Sequence, residues 1–366
     1  MKNTFGSSVA ITVFGESHGE AIGAVIDGLC PGITVDCGYI DSQLAKRRPT
    51  SSIDTARQEK DEYKIVSGVF NGKTTGTPIA IIIPNTDTRS KDYSKLKDTP
   101  RPSHADYAAR CKYHGYEDYR GGGHFSGRIT AAIVAAGAIC RMALKEIGVS
   151  IGTHILKCGG VSDRAFENYS EDIAILNDKK FPVLSDVEKK MTEAILKAKS
   201  NRDSVGGVLQ TAIIGVPKGV GEPWFDSVES ILSHALFGIG GVKGVEFGAG
   251  FGIADMLGSK ANDEFIYENG SVVTKTNNNG GINGGITNGM PIVFNCAVKP
   301  TPSISMEQNT VDLSSKENAS LVIEGRHDPA IVRRACAVVE SVSAICICDM
   351  IASRFGTDVF TRGEKL

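Results

Sequence analysis

Two apolar segments decide the fold: ITAAIVAAGAICRMAL, residues 129–144, and AIVRRACAVVESVSAICIC, residues 330–348. Both have Ala, Ile, Val and Cys on most helical faces, which is typical of helices that are buried on several sides. We therefore expect two central helices over Ile129–Leu144 and Ala330–Cys348. Histidine and arginine precede each of them, a similarity too weak to indicate a repeat.

Short β-type runs, mostly broken by Gly, Pro or Asn, surround these helices. They predict strands at Val9–Phe14, Gly23–Ile26, Lys64–Val69, Ile79–Ile83, Val208–Val216 and Met290–Lys299. Periodicity by itself predicts only a mixed α and β chain.

Three polar pairs have the spacing of helix N-terminal signals. Ser185 with Glu188 and Asp226 with Glu229 fit capping boxes, and Asp328-Pro329 fits an N-cap followed by a first helical residue. Lys46 to Pro49 is expected to close a short helix, where cations suit the C-terminus. The Asn/Gly-rich stretch Thr274–Gly289 favours a disordered surface loop on composition, with a loop that wraps a cofactor as the alternative.

The bulk composition is that of an ordinary globular protein. The chain has 366 residues, 41% of them hydrophobic, and a net charge of −2 from 40 basic and 42 acidic residues. Such a balance gives no field that would attract nucleic acid or an acidic membrane, so any anion site must be local. We expect a single domain over residues 1–366.

Cysteine usage and the apolar runs bear on the compartment. Nine cysteines show no C-x-x-C and no metal-type spacing with histidine, which favours reduced thiols. The N-terminus has no continuous apolar export segment, and no continuous apolar run approaches the ~20 residues that a bilayer needs. The sequence thus predicts a cytoplasmic protein without nucleic-acid or membrane partners.

Residues 101–128, RPSHADYAARCKYHGYEDYRGGGHFSGR, contain no Ile, Leu, Val or Met but three of the seven histidines and four tyrosines. The stretch ends in a Gly-rich turn that leads into the first apolar helix. Cationic donors, adaptable backbone and a helix start are typical of a site for a bound anion. This region is predicted to be a binding surface.

A second candidate is GESHG at Gly15–Gly19, which would present Ser17 and His18 at the end of a strand. A lone loop histidine is more often an ordinary polar residue than a catalytic one. From the residues alone we infer an enzyme that binds a small polyanion, with His18 and His104 as acid–base candidates and arginines as anion clamps. The reaction stays open at this point.

Three separated motifs give the chain a family resemblance: GESHGEAIGAVIDGLCPG from Gly15, RPSHADY with RGGGHFSGRITAAIVAAGA between Arg101 and Ala138, and GRHDPAIVRRACAVVES from Gly325. Together with NTDTRSKDYS and KPTPSIS they resemble chorismate synthase over nearly the whole chain. The resemblance implies a lyase that eliminates phosphate from 5-enolpyruvylshikimate 3-phosphate. It also implies an α+β fold, a β-α-β sandwich with helices between antiparallel sheets, and a homotetramer.

The same resemblance implies reduced FMN as cofactor and assigns roles to residues. His18 would be the acid near the departing phosphate, His104 would lie by the flavin, and Asp328 would assist proton removal through the flavin. Arg47, Arg57 and Arg128 would bind substrate anions, with Arg57 replacing an arginine that many relatives have where Ile53 stands here. The implied cofactor residues are His124, Phe125, Ser126, Gly240, Gly241, Gly284, Lys299, Pro300, Thr301, Pro302, Ser303 and Arg326.

Two other function classes remain as alternatives: a nicotinamide- or flavin-dependent oxidoreductase acting on a phosphorylated acid, and a non-catalytic polyanion-binding module. NADPH is a candidate reductant of the flavin, and a separate flavin reductase is a candidate partner. The sequence has no dedicated nicotinamide motif that would decide between them.

Overall fold

The computed structural model describes residues 2–49, 53, 61–86, 97–323 and 327–361. Its strands are β1 Thr4–Phe5, β2 Ala10–Gly15, β3 Ala21–Asp27, β4 Lys64–Ser67, β5 Val69–Phe70, β6 Lys73–Thr74, β7 Ile79–Pro84, β8 Ser150–Cys158, β9 Val161–Ser162, β10 Gly207–Ile214, β11 Val242–Phe247, β12 Phe265–Glu268, β13 Ser271–Thr274, β14 Ile282–Asn283, β15 Ile286–Thr287, β16 Ile292–Val298, β17 Gln308–Asp312 and β18 Glu317–Leu321. Its α-helices are α1 Cys37–Arg47, α2 Asp106–Tyr113, α3 Thr130–Glu146, α4 Tyr169–Asp178, α5 Glu188–Ser200, α6 Val228–Phe237, α7 Gly258–Ala261 and α8 Val332–Phe355.

Two five-stranded antiparallel sheets form the outer layers. The first has the order β1-β2-β3-β7-β4 and the second the order β11-β16-β10-β8-β9. The predicted strand runs are confirmed, because each overlaps a strand of these sheets. The short hairpins β12-β13, β14-β15 and β17-β18 lie outside the two sheets.

Helices α3 and α8 pack against each other between the sheets. Helix α3 contacts β3 and β7 of the first sheet, whereas α8 contacts β8 and β10 of the second. The helices approach most closely where a Cβ on Gly137 would lie 2.3 Å from the Cβ of Ser341, so only glycine fits there. The predicted β-α-β sandwich and both central helices are confirmed.

Both long helical stretches are apolar enough to cross a membrane by length and composition alone. Of their most apolar windows, however, 72% in Gly127–Glu146 and 94% in Val332–Phe355 is buried inside the protein. Packing between two sheets accounts for this composition, since core helices pass the same test.

The three predicted helix caps are wrong. Helix α5 begins after Val187 without a side-chain cap, because the Ser185 hydroxyl donates to Asp163 instead. Helix α6 is capped one residue later than predicted, with Ser227 accepting from the Ser230 N–H. Helix α8 begins at Val332, beyond Asp328 and Pro329.

The Asn/Gly-rich stretch is ordered, so the disordered interpretation is wrong. The Asp263 carboxylate accepts the backbone N–H groups of Asn278 and Asn279 at 2.7 and 2.9 Å. The chain then forms the small β14-β15 hairpin. Hydrogen bonds to the carboxylate of one aspartate therefore replace the apolar packing that this composition lacks.

Candidate active site

The Gly-rich turn that precedes α3 lies between two predicted catalytic histidines. Gly121, Gly122 and Gly123 have φ values of 59°, 83° and 52°, in the region that glycine adopts most easily. A Cβ on Gly121 would lie 2.3 Å from His18 Nδ1, and a Cβ on Gly122 would lie 3.5 Å from His104 Nε2. The turn thus brings together two segments that are more than 80 residues apart in the sequence.

Backbone hydrogen bonds join the GESHG loop to this turn. The Ser17 N–H donates to Gly123 O at 3.1 Å, and His124 Nδ1 donates to Gly15 O at 2.8 Å. His18 is 7% exposed, and the fully buried Ser17 hydroxyl has no hydrogen-bond partner among the described residues. Backbone groups of Gly15 and Ser17 therefore join the loop that carries His18 to the glycine turn.

Asn85, just after β7, ties the same loop to the start of α3. Its side-chain N–H groups donate to Glu16 O and Gly19 O at 2.9 Å each, and its Oδ1 accepts from Arg128 Nε at 3.1 Å. One amide thus connects the loop of His18 to a predicted substrate arginine.

Ionised side chains hold His104. His104 Nδ1 lies 2.6 Å from Asp106 Oδ1, and Arg101 donates to both oxygens of that carboxylate at 2.8 Å. Burial alone would raise the pKa of Asp106, but the hydrogen bonds from Arg101 and His104 and their charges outweigh burial, and hold this pKa well below its usual range. Asp106 is therefore a carboxylate at neutral pH.

The predicted cofactor run Lys299–Ser303 contacts the same loop at two points. Lys299 Nζ donates to Ser103 O at 2.5 Å, and Arg101 Nη1 donates to Ser303 Oγ at 3.2 Å. Burial lowers the pKa of Lys299, and the nearby charge of Lys243 lowers it further. The structure thus brings the cofactor run next to His104.

Other predicted cofactor residues adjoin this run. The Lys299 N–H donates to Gly241 O at 2.9 Å, which places Gly240 and Gly241 at its start. The Thr301 carbonyl accepts from Ser204 Oγ at 2.8 Å, while the buried Thr301 hydroxyl has no partner among the described residues. A buried hydroxyl without a partner suits a site for a polar ligand.

Two predicted substrate arginines share one buried carboxylate. Arg47 Nη1 lies 2.6 Å from Asp61 Oδ2, and Arg128 Nη1 contacts Asp61 Oδ1. All three side chains are at most 6% exposed. Burial lowers the pKa of Arg47 to about 10 against the opposing charge of Asp61, so Arg47 stays cationic at neutral pH. Two guanidinium groups on one carboxylate leave a net positive charge.

Asp328 is joined to this cluster through an arginine of α8. Arg334 donates to Asp328 Oδ2 at 2.5 Å and to Arg47 O at 2.6 Å. The Pro329 carbonyl accepts from the N–H of Val205, next to the serine that contacts Thr301. Asp328 therefore lies between the arginine cluster and the cofactor run, with its carboxylate in an ion pair instead of a helix cap.

The remaining predicted residues divide into three groups. Phe125, 44% exposed and 6.2 Å from the Tyr113 ring centre, and Ser126, whose hydroxyl accepts from the Arg128 N–H, lie on the Gly-rich turn. Gly284 lies at the tip of the β14-β15 hairpin, whose neighbours Gly285 and Thr287 bond to Val228 and Val220. Pro300 and Pro302 lie within the cofactor run, and Arg57 and Arg326 lie outside the described residues. Ile53 is a buried apolar residue.

A cavity of about 960 Å³ lies elsewhere, between α1, α3, β8 and α8. It is lined by the ion pair of Arg141 and Glu340, by Thr153 and by lysines, and by none of the predicted site residues. The two predicted catalytic histidines and the glycine turn lie outside this cavity. The candidate active site is therefore the region of the histidines, because catalysis needs groups that transfer protons.

Sequence reasoning missed the residues that position the site: Asp61, Asn85, Asp106 and Arg334. Asp106 was within reach, since it stands two residues after His104 in RPSHADY, and Asn85 opens the quoted motif NTDTRSKDYS. For Asp61 the sequence offers no local signal, because its partner Arg128 is 67 positions away.

Comparisons with known proteins by family model, sequence and structure all return one family. A family model described as chorismate synthase matches residues 9–352. Proteins named chorismate synthase are 44% identical in Thermococcus kodakarensis (95% of this chain, 97% of that protein) and 47% identical in Methanocella arvoryzae (96% and 94%). A crystal structure of a chorismate synthase superposes with a TM-score of 0.75 and 28% identity, over 96% of this chain and 94% of that chain.

Proposed function

This chain belongs to the chorismate synthase family, and we propose that its reaction takes place at the glycine turn between His18 and His104. The activity is that of a lyase, which forms chorismate from 5-enolpyruvylshikimate 3-phosphate for aromatic amino acid biosynthesis. We assign one domain to residues 1–366. The proposal rests on the close approach of Gly121 to the His18 ring and of Gly122 to the His104 ring.

Reduced FMN is the cofactor that we propose. When bound, it would supply electron density to the allylic system as phosphate leaves, without net redox change. The residues that would hold it are the His124–Ser126 turn, Gly240 and Gly241, Gly284, Arg326 and the run Lys299–Ser303. The buried Thr301 hydroxyl, which has no partner in the part of the chain that the structure describes, and the half-exposed Phe125 ring support this fit.

We propose distinct roles for the two histidines. His18, nearly buried in a loop that Asn85 joins to Arg128, donates a proton to the departing phosphate, because a neutralised phosphate is a better leaving group. His104, adjacent to the cofactor run, exchanges a proton at Nε2 with the cofactor. Asp328 assists proton removal from the far side of that run.

The arginines supply charge for a trianionic substrate. Arg47 and Arg128 keep a net positive charge around Asp61, and such guanidinium groups bind carboxylate and phosphate oxygens in pairs. Arg57 is proposed as a third substrate arginine. We also propose a homotetramer in the cytoplasm, with NADPH or a separate flavin reductase as the source of electrons for the cofactor.

The test is an anaerobic assay of the purified full chain with chemically reduced FMN and 5-enolpyruvylshikimate 3-phosphate. Phosphate and chorismate should appear in equal amounts, and oxidised FMN should give neither. Absence of phosphate release would refute the proposal. Consumption of NADPH in proportion to product would instead support the oxidoreductase alternative.

A further inference from the structure

We propose that Asp106 is a positioning residue, which fixes the hydrogen of His104 on Nδ1 and so leaves Nε2 as the nitrogen that exchanges protons at the glycine turn. The inference rests on the proposed function of His104. It assigns a role to a carboxylate that is not itself in contact with the reacting atoms.

The first argument is the short contact between His104 and Asp106. Their nitrogen and oxygen atoms lie 2.6 Å apart, and a carboxylate oxygen can only accept. Arg101 Nη2 also lies 3.1 Å from Nδ1, but it donates to Asp106 Oδ1 at 2.8 Å. The shorter contact of Nδ1 with an oxygen that only accepts places a hydrogen on Nδ1, in the neutral as in the charged ring. The other ring nitrogen, Nε2, faces the turn, 3.5 Å from where a Cβ of Gly122 would be.

The second argument is that Asp106 is itself held rigidly. Oδ2 accepts from the Arg101 backbone N–H at 3.0 Å and from Arg101 Nε at 2.8 Å, while Oδ1 accepts from Arg101 Nη2 at 2.8 Å. The side chains of Arg101 and Asp106 are 7% and 13% exposed, so solvent competes little with these bonds. Three donors from one arginine leave the carboxylate a single orientation.

The guanidinium of Arg101 connects this arrangement to the cofactor run. Arg101 Nη1 also donates to Ser303 Oγ at 3.2 Å. One hydrogen-bonded unit therefore includes the His104 imidazole, the Asp106 carboxylate, the Arg101 guanidinium and Ser303 of the cofactor run. Orienting a catalytic imidazole through a carboxylate on its other nitrogen is a general device that fixes the tautomer.

The geometry predicts a specific effect of Asp106→Asn. The amide oxygen would occupy the Oδ2 position, where two Arg101 donors converge, at the loss of the single bond from Arg101 Nη2 to Oδ1. The amide NH₂ would then face His104 Nδ1. Because an NH₂ group donates, Nδ1 would have to become the acceptor and the hydrogen would move to Nε2. The variant therefore reverses the tautomer and blocks proton acceptance at Nε2.

The direct test uses the full chain labelled with ¹⁵N at histidine Nδ1, sedimented without flavin, and solid-state ¹⁵N NMR near pH 8. The His104 signal is identified by its loss in His104→Gln. In the wild type it should be of the protonated type, and in Asp106→Asn of the unprotonated type. An unprotonated Nδ1 in the wild type overturns the inference, whether or not the variant folds.

The variants also separate positioning from mere structural support. Asp106→Glu keeps a carboxylate and should keep the hydrogen on Nδ1. Asp172→Asn is the matched control, because Asp172 forms a similar two-oxygen pair with Arg164 at 2.5 and 3.0 Å on α4. It should leave both the His104 signal and turnover unchanged.

Turnover gives a second measurement. Asp106→Asn should lower kcat by at least about tenfold, the size of effect seen when the hydrogen-bond partner of a metal-ligating histidine is removed. It should also change the pH profile of kcat, whereas KM should be little affected. An unaltered pH profile with a uniform loss of activity would indicate structural support only. A protonated Nδ1 together with an inactive wild type would leave the positioning intact and refute the proposed function instead.

Discussion

His18 and His104 lie on opposite sides of one glycine turn but are held by different means. The loop of His18 is joined to the turn by a backbone hydrogen bond, and Gly121 leaves room for the ring that a Cβ would fill. His104 is held by charge, through Asp106 and Arg101. One site therefore combines two kinds of positioning, and different substitutions should disrupt each of them.

The largest effect is expected from removal of either ring. His18→Ala and His104→Ala should each lower kcat at least ~100-fold, because general acid–base groups contribute that much. The steady-state anaerobic assay measures it. The control is His114→Asn, because His114 lies in the left-handed region at the end of α2, where Asn is also tolerated. Near-normal turnover of either alanine variant would make that histidine an ordinary polar residue.

An intermediate effect should separate steric positioning from backbone strain. Gly121→Ala introduces a Cβ 2.3 Å from His18 Nδ1, whereas Gly148→Ala meets no atom within 4 Å, and both glycines have positive φ. Each variant should lose about 1–2 kcal/mol of stability. Only Gly121→Ala should also lose about tenfold or more in kcat, because the ring is displaced. Equal kcat in the two variants would contradict steric positioning of His18.

The smallest effect is a pH dependence of stability at the charge-held histidine. The pKa of Asp106 is lowered in the folded protein, so its contribution to stability is present above the unfolded pKa, near 3.9, and is lost as pH falls through the folded value. The difference in unfolding free energy between wild type and Asp106→Asn should therefore be constant near neutral pH and shrink below about pH 4. Urea titrations at several pH values measure it, and parallel stability curves would argue against the charged pair.

The sequence was a good guide wherever the signal was continuous along the chain. Two 16- to 19-residue apolar segments predicted α3 and α8, and alternating runs predicted the sheet strands. The helix-cap predictions were wrong because one polar side chain has several competing hydrogen-bond partners. The Ser185 hydroxyl donates to the carboxylate of Asp163, 22 residues away, and Asp328 pairs with Arg334.

In the candidate site, too, the residues of continuous motifs were predictable and the partners of their side chains were not. The motifs named the two histidines, the turn and the cofactor run, and the structure places Lys299 and Ser303 against the loop of His104. The hairpin that carries Gly284 bonds to Val220 and Val228, outside this group, and the role of Gly284 stays a prediction. Asp106 could be suspected from its place two residues after His104, whereas nothing in the sequence distinguishes Asp61 from other aspartates in polar segments.

The sequence by itself determined which segments are buried and which carry the chemistry, because burial needs apolar side chains and proton transfer needs titratable ones. Only the tertiary structure decided which carboxylate pairs with which cation. Asp61 meets Arg128 across 67 residues, and Arg101 meets Ser303 across 202. Such pairings depend on distances between atoms brought together by the packing of the two sheets around α3 and α8, and no local pattern encodes those distances.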